Sequence, residues 1–427
     1  MIHEKWEPVL GTDHAPGIVC VGRVMAGGNR AGTGGQGTSG GRSGFVRLTE
    51  LLTGIEPGQA PINLSVGEPH HPMPDFVGPV LSQHLKDFSR YPMTRGVEPF
   101  RVAVAGWLNR RYTLARPVDP EREVIVLSGS REGLFLAAIA ARRYTADRGD
   151  NPAVLLPNPF YMAYFAGARA AGCEPIALPA TRETNFLPDY DAVSDTLLAR
   201  TVAVYLCSPA NPQGAVLPRE TLARIVKRAR EAGAMIFADE CYSEIWLGDD
   251  APTGVLEVAD GDFANILAFN SLSKRSSLPG LRCGFAAGDG DFLTAFMEFR
   301  NVAAPQVPVP IQEVAAVAYG DEAHVEDNRR LYRAKFDLAG RILGQRYRYH
   351  RPEGGFFLWL DVSELGGDET AARELWRTRG VRVVPGSYLG HTAPDGSNPG
   401  AGYVRAALVD DLASTEQALH RLAKHAD

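Results

Sequence analysis

Asn270-Ser271-Leu272-Ser273-Lys274-Arg275-Ser276-Ser277-Leu278-Pro279-Gly280-Leu281-Arg282-Cys283-Gly284 is the stretch around which the rest of the chain can be ordered. It follows the apolar run Ile266-Leu267-Ala268-Phe269, which predicts a short buried strand. The segment therefore starts where a strand ends, and in open α/β sheets that edge is where ligands bind. One lysine stands there among small hydroxyl residues, with Arg282 downstream. A protonated lysine is a poor nucleophile, but burial or a nearby cation lowers its pKa and lets it form a Schiff base. Ser271, Ser273 and Arg282 offer what a phosphate needs: hydroxyl donors and a bidentate guanidinium. The plain alternative is a Ser/Gly/Pro loop carrying a solvated lysine, and the flanking sequence has to decide.

Upstream, strand and helix patterns alternate. Ile62–Val66 predicts a short strand that runs into the breaker-rich turn Gly67-Glu68-Pro69-His70-His71-Pro72, where both histidines read as loop residues. A helical pattern over 75–85 follows, then Tyr91-Pro92-Met93-Thr94-Arg95-Gly96 and an amphipathic helix over 99–112. Glu123–Leu127 is a β-branched run leading into Ser128-Gly129-Ser130-Arg131 and a helix, an arrangement that presents free N–H groups to an anion or simply caps the helix. Further apolar runs lie at 153–156, 174–178, 201–207, 235–238 and 284–287, with helical stretches over 164–171 and 219–232. This order predicts an α/β fold: a mostly parallel sheet with helices on both faces. The C-terminal third mixes a long charged helix over 325–343, strands over 354–362, 381–386 and 403–408, and two more helices, which predicts a smaller α+β domain. We expect a large domain over 75–325 and a small one built from 45–74 and 326–427. Residues 1–44 are dense in glycine, serine and threonine from Gly27 on and predict a flexible extension.

Composition narrows the class. The chain has 427 residues, 45% hydrophobic and 22% charged, ordinary values for a globular protein. A net charge of -6 argues against a nucleic-acid partner bound by charge. No apolar run reaches the roughly 18 residues of a membrane span. Five cysteines without a Cys-x-x-Cys pair fit a reducing, cytoplasmic setting, and the ten histidines show no metal-ligand spacing.

The polar residues of interest fall at strand ends. Ser130, Asn211, Asp239 and Lys274 each follow a predicted strand, so in a parallel sheet they face one crevice. The set fits pyridoxal phosphate. Asp239 can keep a pyridine nitrogen protonated, Asn211 and Tyr242 can donate to a phenolic oxygen, and Tyr161 can stack on a ring. Ser130, Arg131, Ser271, Ser273 and Arg282 can surround a phosphate.

These motifs resemble the class I/II aminotransferases, pyridoxal-phosphate enzymes of fold type I. Asn211-Pro212-Gln213-Gly214 is similar to the family's Asn-Pro-x-Gly, Asp239-x-x-Tyr242 to its Asp-x-x-Tyr, and Ser271-x-Ser273-Lys274 with Arg282 to its cofactor-lysine motif. The resemblance runs from about residue 45 to the end. It implies a seven-stranded main sheet and a homodimer with shared active sites. Lys274 would bind the cofactor and Asp239 would act on its ring. Tyr91 would reach the neighbouring subunit's phosphate, and Arg405, with Gly67 and Asn211, would hold the substrate carboxylate. The pieces Ser128–Phe135, Asn158–Tyr161, Asp239–Ile245 and Leu272–Ser276 are most similar to bacterial succinyldiaminopimelate aminotransferases. That implies N-succinyl-LL-diaminopimelate and 2-oxoglutarate as substrates, with Arg95 and Arg131 as candidates for the distal carboxylates. The alternatives are an aspartate, aromatic or other amino-acid aminotransferase, or a C–S β-lyase on the same fold.

Overall fold

Twelve strands order the structure, a computed structural model that describes residues 43–424. They are β1 (Ile62–Asn63), β2 (Val124–Leu127), β3 (Ala153–Asn158), β4 (Glu174–Pro179), β5 (Thr201–Cys207), β6 (Met235–Asp239), β7 (Ile266–Ser271), β8 (Gly284–Gly288), β9 (Phe357–Asp361), β10 (Val381–Arg382), β11 (Val384–Pro385) and β12 (Tyr403–Ala407). Seven of them form the main sheet in the order β2-β8-β7-β6-β5-β3-β4. Only β8 runs against its neighbours, pairing antiparallel with β2 and β7. The mostly parallel, seven-stranded α/β sheet expected from the sequence is thus present.

Its central strands are covered on both faces, which is why they read as continuous apolar runs. Successive side chains go to opposite sides: Val124 and Val126 enter one core, Ile125 and Leu127 the other. Helices close each side. Arg219–Glu231 buries Leu222, Ile225, Val226 and Ala229, the spacing of one helix face. A third core joins β9 and β12 to the helices Ala323–Leu343 and Leu412–Ala423. Here β1 pairs with β10, so the segment before the main sheet packs with the C-terminal third.

Several boundaries move. Residues 1–42 of the expected extension lie outside the described residues, but its last two belong to the fold: Ser43 caps the helix Gly44–Leu52, its hydroxyl accepting from the Phe45 N–H. The single strand expected over 381–386 is two. The chain leaves β1 after Arg382, buries Val383, and joins β12 from Val384. The helix expected over 75–85 covers Val77–Gln83 and tightens into a 3-10 turn at Leu85–Ser89. Two helices, Gly290–Ala303 and Val309–Gly320, follow β8. Among the described residues no helix is long and apolar enough to cross a membrane.

Candidate active site

The C-terminal edge of the main sheet gathers the residues. β5 and β6 lie side by side, with Cys207 opposite Asp239, and β6 neighbours β7, with Asp239 opposite Phe269. The loops carrying Asn211, Asp239, Tyr242 and Lys274 therefore leave adjacent strands in one direction. On the far side of β7, Ser271 pairs with Gly284 and Gly284 with Leu127, which brings the Ser128–Arg131 turn to the same edge.

Lys274 sits in a one-turn helix, Leu272–Arg275, whose first N–H groups are capped by the Ser271 hydroxyl. Its Nζ donates to the Gly67 carbonyl oxygen at 2.5 Å and lies 5.2 Å above the Phe356 ring. Burial pushes its ammonium down to about 8; Cys241 opposes this and Arg405 adds to it. Gly67 lies close under the Phe357 ring: a Cβ there would be 2.8 Å from Phe357 Cζ, and the ring would have to shift.

Asp239, 5% exposed, accepts from the Tyr164 hydroxyl at 2.5 Å and from the Cys241 N–H at 3.1 Å. Burial raises its pKa, and these donors with Lys274 pull it back. Such a carboxylate calls for a cationic partner, which a protonated pyridine supplies. Tyr164 was not among the sequence candidates. The available signal was its spacing from Tyr161: Tyr161 caps the helix Met162–Ala170 and Tyr164 lies in its first turn, with rings 5.8 Å apart. The Tyr161 hydroxyl in turn accepts from Arg131 Nε at 2.5 Å.

At the phosphate end, the Arg282 guanidinium donates to the Ser128 carbonyl oxygen at 3.3 Å and presses on Gly129. A Cβ on Gly129 would lie 2.3 Å from Arg282 Nη2, and its φ of +81° is glycine's territory. Beyond it the first turn of the helix Ser130–Tyr144, with no side-chain cap, has N–H groups that intrahelical bonds cannot use. Ser271 and Ser273 share a hydroxyl contact of 3.0 Å on the other flank. These groups form a cradle that a phosphate fits.

Arg405 closes the opposite end. It is 5% exposed, donates to Asn211 Oδ1 at 3.3 Å and to the Ser65 carbonyl oxygen at 2.9 Å, and its Nε has no partner. Burial pushes it down to about 10, with Tyr242 opposing, and no carboxylate of the described residues pairs with it. A buried, unpaired guanidinium is a site for an anion. Tyr242 is buried beside it against Phe356 and Phe357.

Two candidates stand apart. Tyr91 is 98% exposed and reaches none of these residues within the chain. Arg95 turns away: its Nη1 donates to the Glu121 carbonyl oxygen at 2.7 Å, ahead of β2 and so toward the sheet's other edge. Of the two candidates for the distal carboxylates, Arg95 is thus held by a backbone carbonyl away from Lys274 and Arg405. Among the described residues no cluster of His, Cys, Asp and Glu could hold a metal.

Comparison with known proteins bears on this geometry. The family described as "Aminotransferase class I and II" matches residues 59–422. The LL-diaminopimelate aminotransferase of Syntrophobacter fumaroxidans is 31% identical over 368 residues, 85% of this chain and 90% of that protein. An aminotransferase structure from Neisseria meningitidis superposes with a TM-score of 0.83 at 37% identity, covering 90% of this chain and 97% of the other. The structure of a probable N-succinyldiaminopimelate aminotransferase from Thermus thermophilus gives 0.77 at 26% identity, covering 89% and 99%. With its motifs at one sheet edge and the family match running over most of its length, the chain belongs to the class I and II aminotransferases, which depend on pyridoxal phosphate.

Proposed function

We propose that this enzyme moves an amino group between N-succinyl-LL-diaminopimelate and 2-oxoglutarate, as a cytoplasmic homodimer. The observation that carries the transaminase chemistry is the placement of a buried lysine, Lys274, and a buried carboxylate, Asp239, at the same edge of the sheet, each with its pKa displaced by burial.

When bound, pyridoxal phosphate supplies an electron sink for the pair released from the substrate's Cα–H bond. The protein residues do the rest. Asp239, oriented by Tyr164, holds the proton on the pyridine nitrogen. Asn211 and Tyr242 address the phenolic oxygen, and Tyr161 covers the ring. Ser130, Arg131, Ser271, Ser273 and Arg282 hold the phosphate, with Tyr91 of a second copy completing it. The extreme exposure of Tyr91, beside exposed Phe88 and Met93, supports that dimeric reading. Arg405 fixes the α-carboxylate, steadied by Asn211 and Ser65. Lys274 would hold the cofactor, and its released amine would take the proton from Cα and deliver it to the cofactor's C4′ carbon; a pKa of about 8 suits both the uptake and the delivery near neutral pH.

The succinylated donor is supported by the motif resemblance and by the likeness to the Thermus protein, itself named as a probable N-succinyldiaminopimelate aminotransferase. The name of the Syntrophobacter relative favours a second reading, free LL-diaminopimelate as donor. A kinetic panel separates them: purified enzyme with 2-oxoglutarate and, in turn, N-succinyl-LL-diaminopimelate, LL-diaminopimelate, aspartate and phenylalanine. The highest kcat/KM for the succinylated donor is expected. Equal or better use of the free diamine overturns that choice, and release of pyruvate, ammonia and a thiol from a β-thioether amino acid such as cystathionine, with the keto acid left out, overturns transamination in favour of a C–S β-lyase.

A further inference from the structure

Outside this crevice lies a buried chain of hydrogen bonds that ends on the backbone of Lys274. Lys335, 1% exposed, donates from Nζ to His71 Nε2 at 2.6 Å and to the Leu408 carbonyl oxygen at 3.0 Å. His71 Nδ1 lies 2.5 Å from Asn328 Oδ1. Asn328, 6% exposed, donates from Nδ2 to the carbonyl oxygens of Lys274 at 3.0 Å and Arg275 at 3.1 Å, and its Oδ1 also accepts from Ser277.

The direction of this chain is forced. Carbonyl oxygens only accept, so the Asn328 amide must turn its NH2 to Lys274 and Arg275 and its oxygen to His71. An ammonium only donates, so His71 Nε2 accepts and Nδ1 carries the proton that Asn328 takes. Burial, with Lys335 second, pushes His71 down to about 4, which keeps it neutral and able to accept. His70, Asp410, Asp411 and the Tyr332 ring are the other groups around the pair.

The one-turn helix Leu272–Arg275 cannot satisfy its own last carbonyls, and Asn328 does so. The same segment, Gly67 to His71, therefore meets Lys274 twice: at the amine through the Gly67 carbonyl oxygen, and at the backbone through His71 and Asn328. We propose that Lys335, His71 and Asn328 are positioning residues that fix the root of Lys274, and so set how readily its amine captures pyridoxal phosphate. The proposal rests on the reading of Lys274 as the cofactor-bearing lysine.

The test separates capture from binding. Full-length protein freed of cofactor is mixed with pyridoxal phosphate, and the rate of covalent linkage is followed by its visible band. Affinity for the 4′-deoxy analogue, which has the phosphate but no aldehyde, is measured alongside. His71→Phe keeps a ring against Tyr332 and removes both nitrogens; Lys335→Met removes the ammonium. Capture at least tenfold slower in His71→Phe, with affinity for the analogue within threefold of the parent, is expected, and Lys335→Met is expected to be slowed less. Capture slowed by less than threefold in both folded variants overturns the proposal. Rate and analogue affinity falling together also overturns it, since the role is then general packing. If His71→Phe fails to fold, Lys335→Met alone decides, at the same threefold limit. Borohydride reduction of the parent that marks another lysine refutes the underlying reading instead, before any variant is made.

Discussion

Lys274 Nζ and the Gly67 carbonyl oxygen are joined by a 2.5 Å hydrogen bond across 207 positions of sequence. The bond ties the catalytic edge of the main sheet to the segment just after β1. It uses one proton of an ammonium that burial already disfavours. At pH 7 a lysine of pKa about 8 is roughly one-tenth neutral, against a few parts in ten thousand at the ordinary value. Covalent capture of pyridoxal phosphate by the cofactor-free protein should therefore rise about tenfold per unit up to pH about 8 and then level off. A rise that continues to pH 10 would show an ordinary lysine. Lys274→Ala should abolish both linkage and transamination, and peptide mapping after borohydride reduction should mark Lys274 in the parent.

Asp239 and Tyr164 should differ in degree. Asp239→Asn removes the charge proposed to face the pyridine nitrogen and should cut turnover by orders of magnitude while the protein stays folded. Tyr164→Phe leaves the carboxylate in place with one donor fewer, worth about 1–3 kcal/mol. A roughly tenfold loss of turnover or cofactor affinity is expected there. Near-normal turnover in Asp239→Asn would remove the role assigned to it.

Gly129→Ala tests the phosphate cradle. The added methyl would meet Arg282 at 2.3 Å, in a backbone conformation that costs a non-glycine residue about 1–3 kcal/mol. Affinity for inorganic phosphate and for the 4′-deoxy analogue should drop at least tenfold. Unchanged affinity would mean that the turn does not hold the phosphate.

What the sequence disclosed, and what it hid, follows from the kind of signal involved. Strands β3, β5, β6 and β7 are buried on both faces, so each is a largely apolar run, and polar residues at its end or in the loop just after it mark the crevice. That logic reaches Asn211, Asp239 and Lys274. It does not reach Tyr164, which lies within a helix and looks like any core aromatic. Nor does it reach Lys335, on a charged helix whose pattern suggests a solvated face, although its side chain is 1% exposed. His71 reads as a loop residue because its partners are 257 and 264 positions away. The direction of Arg95 is a rotamer choice, set by the Glu121 carbonyl oxygen, and spacing carries no trace of it.

The direction of Arg95 also sharpens the substrate question. In the proposed site Arg405 would meet the α-carboxylate that every amino acid carries, so Arg405→Ala should harm all donors alike. Arg405→Lys should rescue little, since one ammonium cannot replace the fork that meets Asn211 and Ser65. Selectivity for a succinylated donor needs a second cation farther out. Arg131 is exposed at the crevice, anchored through Nε to Tyr161, while Arg95 is committed elsewhere. Arg131→Gln should therefore lower kcat/KM for N-succinyl-LL-diaminopimelate about tenfold to a hundredfold, the worth of one charged contact of about 1.5–3 kcal/mol. Because Arg131 also belongs to the phosphate set, aspartate should fall too, but by at least tenfold less than the long donor, while Arg95→Gln should change neither donor. A panel in which Arg131→Gln harms aspartate as much as the long donor would assign Arg131 to the phosphate alone, and a selective loss in Arg95→Gln would mean that its side chain swings into the crevice when substrate binds.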